Sequence, residues 1–534
     1  MSMLNLINTP WLPVIRADGH HHRIAPWQIA ETDNPVQEIA APRPDFQGAL
    51  YQFLIGLLQT ACAPEDLEEW QEHWDRPPAA EQLRARLAPL APAFELVNPE
   101  GPAFMQDFDL EDGESKPIAA LLIEAPGGKT LKDNLDHFVK GGSVEGVCPG
   151  CAATALFTLQ ANAPSGGVGH RVSLRGGGPL TTLVMPARID ATLWHKLWLN
   201  ILPDETTGVA GFDDPAVLPW VGQTRCSDKN GHNTQPEDVS PLQAYWGMPR
   251  RIRLEAAEQQ PGQCALCGAE DVTLIRQFRA RNYGTNYEGP WVHPLTPYRF
   301  DLKNSAPPLS LKGQQNGLGY RHWLGLVWHD ESTGDRAAKI VRHYQDHKAG
   351  ALGTTARLWC FGFDMDNMKA RCWYEYQMPI LAIPPGQQAW LLGFVGQLLD
   401  AAKAVAKLLR EQVKAAWFER TKDARGDMSM VDQSFWQATE EAFYRQLLTL
   451  AEQPEDSRYL PATVAADWLA TLRSSAYRLF DSWALEGDLE AMDLKRITRA
   501  RRGLATKLGG TKSLKPLNDL EQIAKADAAA MEAP

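Results

Sequence analysis

The chain shows two textures of hydrophobic patterning. Up to about residue 380, apolar runs are short and of mixed period, as at Leu4–Ile7, Leu180–Met185, Trp194–Leu202, Leu358–Phe363 and Met378–Ile383. Gly and Pro punctuate them throughout, and helical spacing shows at Phe46–Ala63 and Cys151–Ala161. This mixture predicts an irregular, globular α+β domain over residues 1–384. Pro203–Ser240 and Phe300–Gly319 read as long functional loops, because connectors beyond ~12–15 residues are uncommon without a task.

After Pro384-Pro385-Gly386 the pattern changes. Leu391, Val395, Leu398, Ala402, Val405, Leu409 and Val413 recur at three- and four-residue intervals, which predicts an amphipathic helix over Gln387–Arg420. Further helices are expected at 433–452, 462–486 and 488–508, with Asp432 or Ser434 capping the second and Pro461 opening the third. Short polar links between them predict a C-terminal four-helix bundle over 387–520. Residues 521–534, alanine-rich from Ala524, lack a bulky apolar stripe and are expected to form a disordered tail.

Composition adds bounds. At 534 residues the chain exceeds a single core, so two or three domains are expected. Eighteen tryptophans imply large rigid contact surfaces. The net charge of −12 argues against coating nucleic acid by bulk charge, yet permits a local basic groove. No apolar run reaches about 18 residues, so no membrane span or membrane partner is expected. Met1–Arg16 lacks the pattern of a secretory signal, and eight cysteines then suggest thiols in a reducing cytoplasm.

Four of those cysteines form Cys148-Pro-Gly-Cys151 and Cys264-Ala-Leu-Cys267. Each pair can turn two thiolates to one side of a tight turn, and two pairs complete a tetrahedral site that predicts zinc. Four thiolates leave no open coordination position, so the zinc is expected to be structural. Cys62 reads as a buried hydrophobe, while Cys226, Cys360 and Cys372 lack partners at metal spacing. Beyond the first pair come a helical stretch and two glycine clusters, Ser165-Gly166-Gly167-Val168-Gly169 and Arg175-Gly176-Gly177-Gly178-Pro179. The metal is therefore expected to fix the root of a glycine loop flanked by Arg171 and Arg175, suited to a phosphate backbone. By itself such a loop is also an ordinary helix stop.

The ordered set of motifs resembles a known family. Asn5-Leu6-Ile7-Asn8-Thr9-Pro10-Trp11-Leu12-Pro13-Val14, the first cysteine pair through Ala155-Leu156-Phe157, Ala163-Pro164 and Leu174-Arg175-Gly176-Gly177 are similar to CasA, the large subunit of the type I-E CRISPR Cascade complex. The second cysteine pair, Trp291-Val292-His293-Pro294 and the helical C-terminal part complete the resemblance. It implies a non-catalytic subunit of an RNA-guided complex, partnered by other Cascade subunits, guide RNA, double-stranded DNA and a separate helicase–nuclease. In this division of labour protein reads a short protospacer-adjacent motif (PAM), and base pairing reads the rest.

The resemblance also assigns residues. Ser165, Gly166, Gly167 and Gly169 would enter the PAM minor groove, with Val168 standing where glycine is usual. Asn282 would occupy the place of a groove-reaching lysine, with Arg279 or Arg281 supplying charge; alone, the segment reads as a solvated strand edge. Asn367, Met368 and Lys369 would form a wedge that parts the first base pair, and alone they read as a polar turn. Phe138, Val139 and Lys140 would dock on the guide's 5′ handle and neighbouring subunits. Lys495, Arg496, Arg499 and Arg502, in a basic run on an acidic chain, are expected to track a DNA strand.

Two other classes stay open. A zinc-containing nuclease would need a catalytic metal cluster, for which Asp364 with Asp366, and His329-Asp330, are the candidates. A protein-interaction scaffold would need only the tryptophans and the bundle.

Overall fold

The computed structural model describes residues 4–531 apart from 111, 128–131, 133–139, 204–210, 256–260, 314–316, 353–355, 367–368, 382, 424, 455–458 and 487–491. It divides into two compact units, Met1–Gln315 with Leu326–Gln377, and Asn316–Gly325 with Met378–Pro534.

The first unit is built around the helix Pro44–Ala61, which is buried over nearly its whole length. Pro44 opens it, Asp45 sits in its first turn against Arg43, and the buried Cys62 closes it. Phe53 on this helix meets Trp11, Phe94, Phe104, Phe157 and Trp246 edge to face. Several of the many aromatics are thus spent in one core cluster, where such pairs add about 0.5–1.5 kcal/mol beyond area burial.

Short antiparallel sheets surround that core. Leu12–Arg16 lies between His21–Ile24 and Val36–Ile39. Gln277–Arg281 lies between Glu114–Pro117 and Arg251–Glu255. Ala356–Asp366 pairs with Thr181–Pro186 and, on its other edge, with Lys369–Ile380. The helix Pro149–Asn162 runs from the first cysteine pair to the glycine loop, Cys148 capping it and Pro149 at its first position.

The second unit holds five helices among its described residues, Pro385–Trp417, Ser429–Ala451, Ala462–Leu485, Leu494–Gly510 and Lys515–Met531. The heptad-like row from Leu391 to Val413 is buried, as are Phe435, Phe443, Trp468, Phe480, Leu504 and Leu508. Trp468 donates its indole N–H to the Leu398 carbonyl at 3.0 Å. Tyr320, from the short segment that joins this unit, stacks on Phe443 at 4.4 Å and bonds Thr439.

Two expectations need correction here. Residues 521–531 belong to a helix rather than a disordered tail: Leu517 is buried, and Glu521 accepts from Arg473 at 2.9 Å. Neither Asp432 nor Ser434 caps the second helix of this unit; the chain enters it at Met428, Asp427 accepts from the Ser429 amide, and Asp432 pairs with Arg410. The helix Gly386–Trp417 has the length and composition of a membrane span, but its apolar face forms the core of this unit.

Candidate metal centre and nucleic-acid interface

Backbone geometry brings the two cysteine pairs together. Val147 and Ile275 form a bridge, and the Ala265 amide donates to the Gly146 carbonyl at 3.0 Å, so the two knuckles are laced side by side. Gly268, at φ +72°, turns the second knuckle back and donates to the Cys264 carbonyl. The sulfurs of Cys148, Cys151, Cys264 and Cys267 all lie within 4.8 Å of one another. Cys148 and Cys267 are 3.7 Å apart. A tetrahedral ion bonded to thiolates at about 2.3 Å needs sulfurs about 3.8 Å apart, so the cluster fits a metal such as zinc.

The second pair of cysteines receives donors from its surroundings. The Cys148 amide donates to Cys264 Sγ at 3.3 Å, and the Arg23 guanidinium reaches Cys267 Sγ at 3.8 Å. Hydrogen bonds among the four sulfurs divide the protons unevenly, pulling the Cys264 and Cys267 thiols down and pushing the Cys148 and Cys151 thiols up. Arg23 was not legible as a neighbour of this centre, since nothing in the spacing of residues 20–24 points to cysteines far along the chain.

The glycine loop follows the far end of the helix Pro149–Asn162, whose 14 residues rise about 21 Å at 1.5 Å per residue. The metal centre therefore anchors the helix start and not the loop root. The root is closed by the Ser173 amide donating to the Ala163 carbonyl at 3.0 Å and by Arg250, which donates to the Pro164 carbonyl. Sequence reasoning missed Arg250.

The loop itself is tied to the end of strand Gln277–Arg281. Asn282 Nδ2 donates to the Val168 carbonyl at 2.8 Å, and the Tyr283 amide donates to the Gly169 carbonyl at 2.8 Å. The Gly167 carbonyl accepts from His170. Three successive carbonyls are thus used inside the chain. Among the described residues, the amides of Gly166, Gly167, Val168 and Gly169 have no acceptor. The loop is in effect a row of unspent donors. Gly169, at φ +77° with Asn282 Cβ 2.9 Å from where its own would stand, must be glycine, whereas Gly167 faces open space.

Both arginines expected to flank the loop toward phosphate are committed elsewhere. Arg175 is 5% exposed and donates to Thr181, Thr296, Gln52 and the Ala161 carbonyl. Burial pushes its pKa down to about 10. Arg171 holds Ser227 through Oγ at 2.7 Å and the carbonyl at 2.8 Å.

The remaining candidates are placed as follows. Ser165 is exposed at the loop's entry, and Arg281 is exposed at the end of its strand. Arg279 pairs with Glu255 at 2.6 Å. Lys369 is exposed at the start of strand Lys369–Ile380, while Asn367 and Met368 lie outside the described residues. Lys140 is exposed, and Phe138 and Val139 also lie outside the described residues. On the helix Leu494–Gly510, Lys495, Arg499 and Arg502 are exposed at i, i+4 and i+7 and share one face. Arg496 does not join them, because its guanidinium donates to the Ala416 carbonyl at 2.8 Å and to the Trp417 carbonyl. Asp364 is held by two guanidinium nitrogens of Arg371, at 2.7 and 3.1 Å.

The sequence model of the family CRISPR-associated protein Cse1 matches residues 5–479. The chain belongs to the Cse1 family, also called CasA. Solved Cse1 structures share the fold. CasA from Thermus thermophilus superposes with a TM-score of 0.70 at 20% identity, covering 95% of this chain and 99% of that one. Thermobifida fusca Cse1 gives 0.68 at 18% identity, covering 97% and 99%. A chain of a CRISPR RNA-guided surveillance complex gives 0.69 at 16% identity, covering 95% and 99%. The Cse1 fold therefore extends over both units of the chain described above.

Proposed function

We propose that this chain is the large, non-catalytic subunit of a type I-E Cascade complex, working in the cytoplasm beside other Cascade subunits and guide RNA. In that role it reads the PAM of double-stranded DNA from the minor groove, helps open the duplex and recruits a helicase–nuclease. The observation that carries this reading is the loop 165–169, where the carbonyls of residues 167–169 are taken within the chain and, among the described residues, the four amides of residues 166–169 have no acceptor. Minor-groove floors offer acceptors on every base pair, which suits a backbone row of donors. Glycine at 166, 167 and 169 lets that row come close.

Zinc in the four-cysteine centre holds the start of the helix whose far end carries the loop. Lys369, with Asn367 and Met368, parts the first base pair. Phe138, Val139 and Lys140 dock on the guide's 5′ handle. Lys495, Arg499 and Arg502 follow a DNA strand, and Arg281 adds charge near the loop.

The test is a gel shift of the complex assembled with and without this chain, on duplexes bearing a matched or altered PAM. Discrimination is expected only with the chain present. Gly167→Glu, at a position with open space around it, is expected to abolish PAM-dependent binding without unfolding the chain. Equal binding to both duplexes by the complete complex would refute the reading.

A further inference from the structure

We infer that a cavity beside the helices Pro44–Ala61 and Pro149–Asn162 binds one monatomic anion of chloride or bromide size. Tyr245 and His293 donate hydrogen bonds to the ion, and the Arg175 guanidinium supplies the positive charge it offsets. The cavity measures about 20 Å³ and is lined by Gln52, Gln160, Ser173, Arg175, Tyr245 and His293 among others. A water needs about 10–15 Å³, so there is room for a single guest somewhat larger than water.

Most polar groups on the wall are already engaged. Gln52 accepts from Arg175 at 2.8 Å and donates to the Gly48 carbonyl. Gln160 accepts from the Arg250 amide and donates to the carbonyls of Met105 and Arg250. Ser173 donates to the Gly176 carbonyl. Two groups are left over. The Tyr245 hydroxyl is buried without a partner. His293 Nδ1 accepts from the Leu295 amide at 3.1 Å, which puts the ring proton on Nε2, and among the described residues no acceptor meets it. The two rings lie 5.4 Å apart, so one guest can reach both polar edges.

Charge decides what that guest is. All the partners of the Arg175 guanidinium are neutral: the hydroxyls of Thr181 and Thr296, the Gln52 amide oxygen and the Ala161 carbonyl. Among the described residues no carboxylate pairs with it, and Lys312 brings a second amine to its own carbonyl at 2.7 Å. A buried charge without a counter-ion is costly. A water would serve the two leftover groups and leave that charge uncompensated, whereas a one-atom anion does both. Carboxylates and phosphates are too large for the space.

The experiment soaks crystals of the full chain in sodium bromide and records anomalous diffraction. Thermal melts near neutral pH accompany it, in sodium chloride or sodium gluconate of equal ionic strength. A bromide peak within hydrogen-bond reach of Tyr245 Oη and His293 Nε2 is expected, with a melting temperature that rises saturably in chloride and not in gluconate. In Tyr245→Phe the apparent chloride affinity should fall about tenfold. A peak without anomalous signal in the cavity would overturn the inference and make the guest an ordered water. A chloride response unchanged in Tyr245→Phe, or a bromide peak only elsewhere, would overturn it as well. So would a bromide peak in the cavity with no chloride response in solution, which marks an adventitious ion only. The diffraction arm uses the unaltered chain, so it decides even where Tyr245→Phe folds poorly.

Discussion

Arg496 closes the end of another helix: its Nε donates to the carbonyl of Ala416, 2.8 Å away, in the last turn of Pro385–Trp417. Carbonyls in the last turn lack intrahelical donors, and a cation there also meets the negative end of the helix dipole. A second bond to the Trp417 carbonyl and a contact with Asp493 complete its commitments. A residue that sequence places in a basic track is therefore a structural tie.

That difference separates two variants. Arg496→Ala is expected to destabilise the second unit by about 1–2 kcal/mol, with an unchanged salt slope for DNA binding. The double change Arg499→Gln with Arg502→Gln should leave stability within about 0.5 kcal/mol and flatten the slope by about 0.9 log unit per lost phosphate contact. Urea melts and a salt titration of binding measure both. A normal slope in the double variant reassigns that helix face to plain surface.

Glycines of the loop should differ in the same way. Gly169→Ala forces a left-handed residue to carry a Cβ against Asn282, and a loss of about 1–2 kcal/mol is expected. Gly167→Ala should cost less than about 0.5 kcal/mol, since nothing lies within 4 Å of its Cβ position. Thermal melts of the two variants provide the comparison, and equal losses would mean that the seat on Asn282 is not rigid.

What sequence made legible followed from periodicity and spacing. Leu391 to Val413 repeat on one helical face and are buried on it. The cysteine pairs carry their geometry in their spacing, so their convergence needed no knowledge of the fold. Arg175 and Arg496 were misread because nothing local distinguishes a guanidinium that serves distant carbonyls and hydroxyls from one that meets solvent. The last helix was missed for a related reason. Its docking depends on Leu514, Leu517 and the pairing of Glu521 with Arg473, contacts too sparse to mark an apolar stripe. Loop seating by Asn282 was equally invisible, because it joins residues 114 positions apart.

Metal content tests the cysteine centre directly. Purified chain is expected to carry one zinc, lost in Cys264→Ser and on prolonged chelation, with a stability loss of several kcal/mol in the first unit. Elemental analysis and thermal melts give the answer. Full zinc retention in Cys264→Ser would exclude the four-cysteine arrangement as the site.

Acid sensitivity is expected from His293. It is 4% exposed, and burial holds its pKa well below the ordinary histidine value, with the nearby Arg175 charge acting in the same direction. Its Nδ1 accepts from the Leu295 amide at 3.1 Å, a role that needs the neutral ring. The unfolded chain takes up a proton near pH 6.5 and the folded chain does not, so stability is fully present above that value and falls as pH drops below it. One such group contributes a slope of about 1.4 kcal/mol per pH unit. His293→Gln removes that proton from the unfolded state, so the stability difference between pH 6.5 and pH 5.5 should shrink by about 1 kcal/mol in urea melts. An undiminished difference would place the acid-sensitive proton on another side chain.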